Sequence, residues 1–409
     1  MLATAYRDSA KSSMPSYNLH VWIERNIQTS LRRLAQTRPV VLLTGARQTG
    51  KTSLLRHLFP DRRFVSLDDP RIAELADHDP ETFFKQFPPP LIIDEVQYAP
   101  GVFRYIKLLV DADRQHYGQF LLTGSQKLQL MHRVSESLAG RVAVVELETL
   151  AKPEIMAPAP ELPVEDLLFT GGYPELHASV DIDPREFYRS YAASYLERDV
   201  RAFLNVSNLR DFGRFLRACA LRSGQLLNKA ELGRDVGISA STVAQWLSVL
   251  QATNIVLFLE PWFSNAGKSL VKTPKLYMAD TGLMCYLIDL LTPQELLRSP
   301  YLGAIWETFV FSELRKAQTA ATGHWSCNFW ATISREVDFL VHHGGRFELF
   351  EAKWTAHPDR HDATGIVEAA HSLGEENILR SAVICRTPVP YLLTPAISAW
   401  PVNKLWDIP

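Results

Sequence analysis

Gly45-Ala-Arg-Gln-Thr-Gly-Lys51-Thr52 fits the spacing GxxxxGK[ST]. It lies between an apolar stretch, Pro39-Val-Val-Leu-Leu-Thr44, and a helical run from Lys51 to Phe59. That context calls for a buried strand, a tight glycine turn and a helix N-terminus, an arrangement whose backbone N–H groups cradle phosphates. The residues expected to hold a nucleoside triphosphate, ATP, are therefore Gly45, Ala46, Arg47, Gln48, Thr49, Gly50, Lys51, Thr52 and Ser53. Lys51 would reach the β/γ oxygens, and the Thr52 hydroxyl would ligate Mg²⁺.

Other segments have matching chemistry. Leu91-Ile-Ile-Asp94-Glu95 is an apolar strand ending in two acids. Adjacent carboxylates after a buried strand are poor packing groups unless a cation or a water uses them. Asp94 is expected to hold Mg²⁺ and Glu95 to orient or deprotonate the attacking water. Leu122-Thr123-Gly-Ser125 ends another strand, whose polar side chains would lie beside Asp94 at the carboxyl edge of the sheet, where Thr123 or Ser125 would sense the γ-phosphate. Arg141, in Ser137-Leu-Ala-Gly-Arg141, is a candidate for stabilising transition-state charge in its own chain or a neighbouring copy, with Arg133 as its competitor. Strand candidates at 39–44, 64–67, 91–94 and 119–123 alternate with helical patterns, which implies an α/β fold with a parallel sheet covered on both faces.

Length and charge bound the rest. The 409 residues suit two or three domains, and a net charge of −2 means that any surface attracting nucleic acid must be local. The four cysteines, Cys219, Cys285, Cys327 and Cys385, are too far apart for a zinc ribbon and read as reduced, mostly buried thiols. Met1 to Asn18 has no apolar core of a signal peptide, and no apolar run is long enough to span a bilayer. A soluble, cytoplasmic protein with no membrane association is expected.

Downstream, Lys152 to Asp166 carries Pro153, Pro158, Pro160 and Pro163 and reads as a linker or an irregular crossover. Residues 183–224 are helical and arginine-rich. Arg210, Arg214 and Arg217 share one helix face, as either a nucleic-acid track or a solvated face with local ion pairs. Glu231 to Val236, a Gly237-Ile238 turn and a second helix capped by Ser239 give a helix-turn-helix, followed by two strands at 255–263 and 275–278. As a winged helix bound to DNA, it would expose Ser241, Thr242 and Gln245 to bases and offer Lys268, Lys272 and Lys275 to phosphates.

Near the C-terminus, Glu336-Val-Asp338-Phe-Leu-Val341 and Phe347-Glu-Leu-Phe-Glu351-Ala-Lys353 form two strands, with Glu351 and Lys353 on one face. Glu307 lies on a preceding helix. Such a group either holds Mg²⁺ or Mn²⁺, through Asp338 and Glu351, or is a buried Glu–Lys pair serving structure.

These residues together resemble a family of prokaryotic AAA+-type ATPases of the additional-strand class, which carry a C-terminal domain of unknown function that looks like PD-(D/E)xK nucleases. Gly45–Thr52 and Asp94-Glu95 match its Walker A and B motifs, and Thr123-Gly-Ser125, Gly171-Gly-Tyr-Pro-Glu175, Asp280-Thr-Gly-Leu283 and Gly303 to Leu314 match further motifs. Asp338, Glu351-Ala-Lys353 and Glu307 match the nuclease signature, although Val337 replaces its proline. The resemblance implies catalytic roles for Glu307, Asp338, Glu351 and Lys353. The expected organisation is a frayed N-terminus (1–20), a P-loop ATPase (21–150), a proline-containing linker with arginine-rich helices (151–225), a winged helix (226–282) and a nuclease-like α/β domain (283–409). The expected function is ATP hydrolysis by a homo-oligomer, in a ring arrangement or otherwise, that acts on DNA. The alternative is a nucleotide-controlled switch that binds protein, with the C-terminal domain as a non-catalytic scaffold.

Overall fold

Val40–Thr44 consists of apolar and β-branched residues, and all five are buried, a composition suited to a strand covered on both faces. In the computed structural model this strand, β1, is part of a five-stranded parallel sheet. The structure describes residues 22–125, 130, 137–157, 162–179, 181–195, 209–262, 273–321 and 325–407.

The first module runs α1 (Gln28–Ala35), β1 (Val40–Thr44), α2 (Lys51–Leu58), β2 (Arg63–Ser66), α3 (Pro70–His78), α4 (Pro80–Gln86), β3 (Leu91–Asp94), α5 (Val102–Ala112), β4 (Phe120–Gly124) and β5 (Val142–Glu146). Its strand order, β2-β3-β4-β1-β5, inserts β4 between β1 and β3. One face is covered by a cluster that includes Phe83, Phe103 and Ile106, the other by Leu31, Leu54 and Leu55. The phosphate-loop motif thus leaves the carboxyl end of an interior strand. The four expected strands are present within a residue or two, and β5 is an addition that the sequence pattern did not mark.

The next stretch runs α6 (Lys152–Met156), α7 (Val164–Thr170), α8 (Pro174–Ala178), α9 (Pro184–Tyr195) and α10 (Leu209–Ala220). Within the expected linker, Glu154 and Ile155 are buried and residues 158–161 lie outside the described ones. Pro153 sits in the first turn of α6, where no N–H is needed, and Leu167 and Leu168 are buried. A three-stranded antiparallel sheet then forms around α11 (Lys229–Val236) and α12 (Ala240–Ala252), from β6 (Gln225–Leu226), β7 (Val256–Leu259) and β8 (Lys275–Met278). Asn228 and Ser239 cap the two helices through their side chains.

The last module comprises α13 (Thr281–Leu287), α14 (Pro293–Arg298), α15 (Leu302–Ala320), β9 (Ser326–Ala331), β10 (Glu336–His343), β11 (Arg346–Ala352), α16 (Thr364–Leu373), β12 (Ile378–Cys385), β13 (Tyr391–Thr394) and β14 (Ile397–Pro401). Its six strands are ordered β13-β14-β12-β11-β10-β9. The expected boundaries at 225/226 and 282/283 cut through β6 and α13. One apolar cluster joins Ile23 and Leu150 through Phe215, Trp246, Tyr277 and Trp306 to Leu405.

Two family-like motifs meet inside that cluster. The buried Asp280 carboxylate caps α13 at Leu283 N (3.1 Å) and accepts from Gly172 N and the Tyr188 hydroxyl, both at 2.8 Å. A side chain at Gly171 would begin 2.3 Å from Asp280 Oδ1, which is why a glycine stands there. Cys219, Cys285 and Cys385 are buried free thiols, and Cys327 is half-buried. Among the described residues no helix is long and apolar enough to cross a membrane.

Candidate functional sites: a phosphate loop and a buried acidic cluster

At the carboxyl edge of the first sheet the chain turns sharply. Gly45 has φ 145° and Gly50 φ 89°, both outside the range that L side chains adopt readily. A Cβ on Gly45 would lie 2.2 Å from the Leu147 carbonyl oxygen. Lys51 opens α2 and folds its ammonium onto the Gly45 and Ala46 carbonyls at 3.1 and 2.7 Å. Arg47, Gln48, Gly50, Lys51, Thr52 and Ser53 line a cavity of about 370 Å³, together with Glu95. The far wall comes from α9, through Tyr191 and Ser194, which the motif-based reading missed because they lie some 140 residues downstream of the loop.

Parallel pairing brings the strand ends together. Asp94 Oδ1 accepts from the Thr52 hydroxyl at 2.5 Å and from the Thr123 hydroxyl at 2.6 Å. Ser66 approaches Asp94 Oδ2 at 3.3 Å. Thr123 Oγ1 in turn accepts from Glu95 N at 3.1 Å, and Ser125 donates to Glu95 Oε2 at 3.4 Å. Glu95 has φ 54°, a left-handed conformation rare for a non-glycine residue and of the kind found where a side chain is aimed for function. The amide of Gln97 holds the Glu95 carboxylate. All of the expected loop, acidic and Thr123/Ser125 residues thus converge.

Arg141 does not join them. Its carbonyl accepts from Val40 N at the amino end of β1, whereas the phosphate loop leaves the other end, roughly 16 Å along a five-residue strand. Its guanidinium is held by Asp111 at 2.8 and 3.0 Å. The expectation that Arg141 serves the phosphate site of its own chain is therefore corrected. Arg133 lies outside the described residues.

The donor set at the phosphate loop fits Mg²⁺ with a nucleotide. Thr52 and Asp94 already share one oxygen-lined point beside the loop, and they are the residues that would hold the ion. The ion would neutralise phosphate charge there.

The C-terminal cluster is arranged differently. Antiparallel pairing of β10 and β11 sets Asp338 beside Glu351, and Asp338 Oδ2 accepts from Ala352 N at 2.9 Å. Lys353 approaches Glu351 at 3.4 Å, so the shared-face reading holds. The centre, however, is filled by Lys275 from β8. Its ammonium lies 2.9 Å from Glu307, 3.6 Å from Asp338 and in direct contact with Glu336. Tyr277, two residues on, donates to Glu307 at 2.6 Å. Lys275 is 3% exposed, so its expected role as a phosphate contact in the wing is corrected. Lys268 and Lys272 lie outside the described residues. A lysine at the start of a short strand reads as a surface charge in sequence, and only the fold reveals three carboxylates around it.

This arrangement does not fit the expected Mg²⁺ or Mn²⁺ at Asp338 and Glu351. Among the described residues no group of three His, Cys, Asp or Glu is placed to hold a metal ion. Lys275 supplies the positive charge that the carboxylates need, and burial together with the neighbouring Asp338 charge pushes Glu351 up to about 10, protonated and bonded to Asp338. Burial, then Asp338, also pushes Glu307 up to about 7. Burial opposes charge on Asp338, but Lys275, Glu351, Lys353 and Ala352 N–H together hold it below the ordinary carboxylate range.

These shifts give stability a pH dependence. The folded chain binds more protons at Glu307 and Glu351 than the unfolded chain does, so stability falls as pH rises above about 4.5, through about 7 for Glu307 and about 10 for Glu351. Asp338 has the opposite sign, and its contribution is lost only on acidification below about 4. The thermal midpoint is expected to be lower at pH 9 than at pH 6, with a weaker dependence in Glu351→Gln. A midpoint that is level or rises over that interval in the wild type contradicts the arrangement.

The arginine stripe carries local ion pairs. Arg214 lies 3.8 Å from Asp211 and Arg217 2.5 Å from Asp289, both side chains at least half exposed.

A five-stranded parallel sheet with β4 between β1 and β3, a glycine loop entering a helix, and a Thr-Asp-Thr contact at the strand ends make the first module an AAA-type P-loop domain. Family models agree: one described as "AAA domain" matches residues 37–156, "Domain of unknown function (DUF8612)" matches 162–294, and "Domain of unknown function (DUF4143)" matches 302–405. The chain belongs to the same family as the uncharacterized proteins Rv2008c of Mycobacterium tuberculosis and Mb2031c of Mycobacterium bovis. Each is 34% identical to it over 339 residues, 82% of this chain and 74% of theirs. Among solved structures, the Walker-type ATPase PABY2304 of Pyrococcus abyssi is similar at 18% identity and TM-score 0.46, covering 65% of this chain and 96% of that one.

Proposed function

We propose that this chain binds ATP with Mg²⁺ at residues 45–53 and hydrolyses it, with Glu95 as the base and Thr123 or Ser125 as γ-phosphate sensor, and that the cycle drives an action on DNA. The observation that carries the ATPase reading is the convergence of Thr52 and Thr123 on one Asp94 oxygen beside Glu95. Asp94 and Thr52 would hold the ion. Lys51, now folded onto loop carbonyls, would turn to the phosphates.

The DNA reading rests on the middle module. Its order α10–β6–α11–α12–β7–β8, with β7 and β8 paired antiparallel, supports a winged-helix reading. The outward face of α12 is polar, with Ser241, Gln245 and Ser248 exposed and Thr242 half-buried. In an assembly of copies, Arg141 at the far sheet edge would reach only a neighbour's nucleotide.

A second reading is favoured by Lys275. The order α15–β9–β10–β11–α16–β12 and the strand positions of Asp338 and Glu351-Ala-Lys353 support a nuclease-like fold. With an ammonium at its centre, that fold serves as a scaffold, as a nucleotide-controlled protein-binding switch would use it. ATP turnover with single-stranded, duplex and branched DNA, at low and high salt, separates the two. Stimulation by DNA that fades as salt rises is the expected result. Turnover indifferent to every DNA form favours the switch.

A further inference from the structure

Arg25 precedes α1 and is 8% exposed. It carries no motif, yet it lies behind the phosphate loop. Its Nη1 donates to the Thr49 carbonyl at 2.9 Å, and its Nη2 to the Glu148 carbonyl at 2.7 Å and the Thr149 carbonyl at 3.4 Å. Its Nε meets Glu154 at 3.1 Å. Glu154 is fixed in turn by Asn26 N at 2.6 Å and Ala151 N at 2.9 Å. The segment carrying Arg25 is anchored alongside α2, where the Trp22 ring stacks on His57 with centroids 3.9 Å apart.

The Thr49–Gly50 peptide is planar and trans, so its carbonyl and its N–H point in opposite directions. Drawing the Thr49 carbonyl backward onto Arg25 turns the Gly50 N–H toward the pocket side of the loop, where a phosphate would need it.

The same backing segment is also gripped by the C-terminal module. Arg315 of α15 binds the Glu148 carboxylate at 2.8 and 3.2 Å and lies 3.7 Å from Glu146. Lys316 donates to the Leu150 carbonyl at 2.8 Å, and Glu313 accepts from Lys152 N at 2.9 Å. Leu147, between these contacts, is the residue whose carbonyl abuts Gly45.

We propose that Arg25 and Arg315 are a positioning pair for the phosphate loop. Arg25 sets the Thr49–Gly50 peptide against residues 148–149, Arg315 fixes that backing from the C-terminal module, and nucleotide affinity therefore depends on the docking of α15. This rests on the reading of residues 45–53 as the nucleotide site. Neither arginine is required to touch nucleotide, so both act on binding rather than on the chemical step.

The test measures ADP affinity by titration calorimetry, and KM and kcat for ATP, on the full chain and its Arg25→Met, Arg25→Lys and Arg315→Met variants. Arg25→Met is expected to weaken ADP about tenfold with kcat largely kept, and Arg25→Lys to recover part of the loss. Arg315→Met is expected to weaken ADP about threefold although it contacts no loop residue, and the double variant less than the product of the singles. If Arg25→Met does not fold, Arg25→Lys and Arg315→Met carry the test. A fall in kcat that follows the folded fraction, with KM and ADP affinity unchanged, overturns the proposal and leaves the arginines as structural ties. Absence of ADP binding by the wild type removes the nucleotide-site reading itself, and the proposal with it.

Discussion

Glu95→Gln is expected to bind ATP as the wild type does and to lose turnover by about 10²-fold or more. Glutamine keeps the size of the side chain and can still bond Ser125 and Gln97, but it takes no proton from water. The backbone at Glu95 is held in the left-handed region by Thr123 Oγ1 at its N–H and by the strand end behind it, so the substitution leaves the geometry in place. Turnover by Glu95→Gln equal to the wild type would remove Glu95 as the base. Equal loss of binding and turnover would instead mark it as a fold residue.

Lys275→Met is expected to cost roughly 3–5 kcal/mol of stability, read as a large drop in the unfolding midpoint. The change leaves Glu307, Glu336 and Asp338 facing one another without the ammonium that now lies among them. An unchanged midpoint in Lys275→Met would mean that the carboxylates tolerate the loss by taking up protons.

The phosphate site was legible in sequence because its parts are local. The glycine loop, the acids after Leu91-Ile-Ile and the threonine after Phe120-Leu-Leu are each marked by a buried strand, and parallel pairing does the rest. Arg25, Tyr191 and Ser194 were not legible, since each reaches the site through tertiary packing with no periodic or motif signal. Arg141 misled because the Gly140 turn and β5 return the chain to the amino edge of the sheet, and no local pattern encodes which edge an arginine faces. Lys275 misled for a related reason: alternation along β8 says that Lys275 and Tyr277 share a face, but not that the face is covered by α15 and β10. The prolines of 151–166 suggested a spacer, whereas Pro153 starts a helix whose Glu154 is the buried partner of Arg25.

Binding of Mg²⁺·ADP to the wild type and to Lys51→Ala, followed by titration calorimetry, tests the central claim most directly. The prediction is one nucleotide per chain in the wild type and affinity weakened about a hundredfold or more in the variant, because Lys51 provides the charged contact to the phosphates. No binding by the wild type, or equal binding by a folded Lys51→Ala, would contradict it.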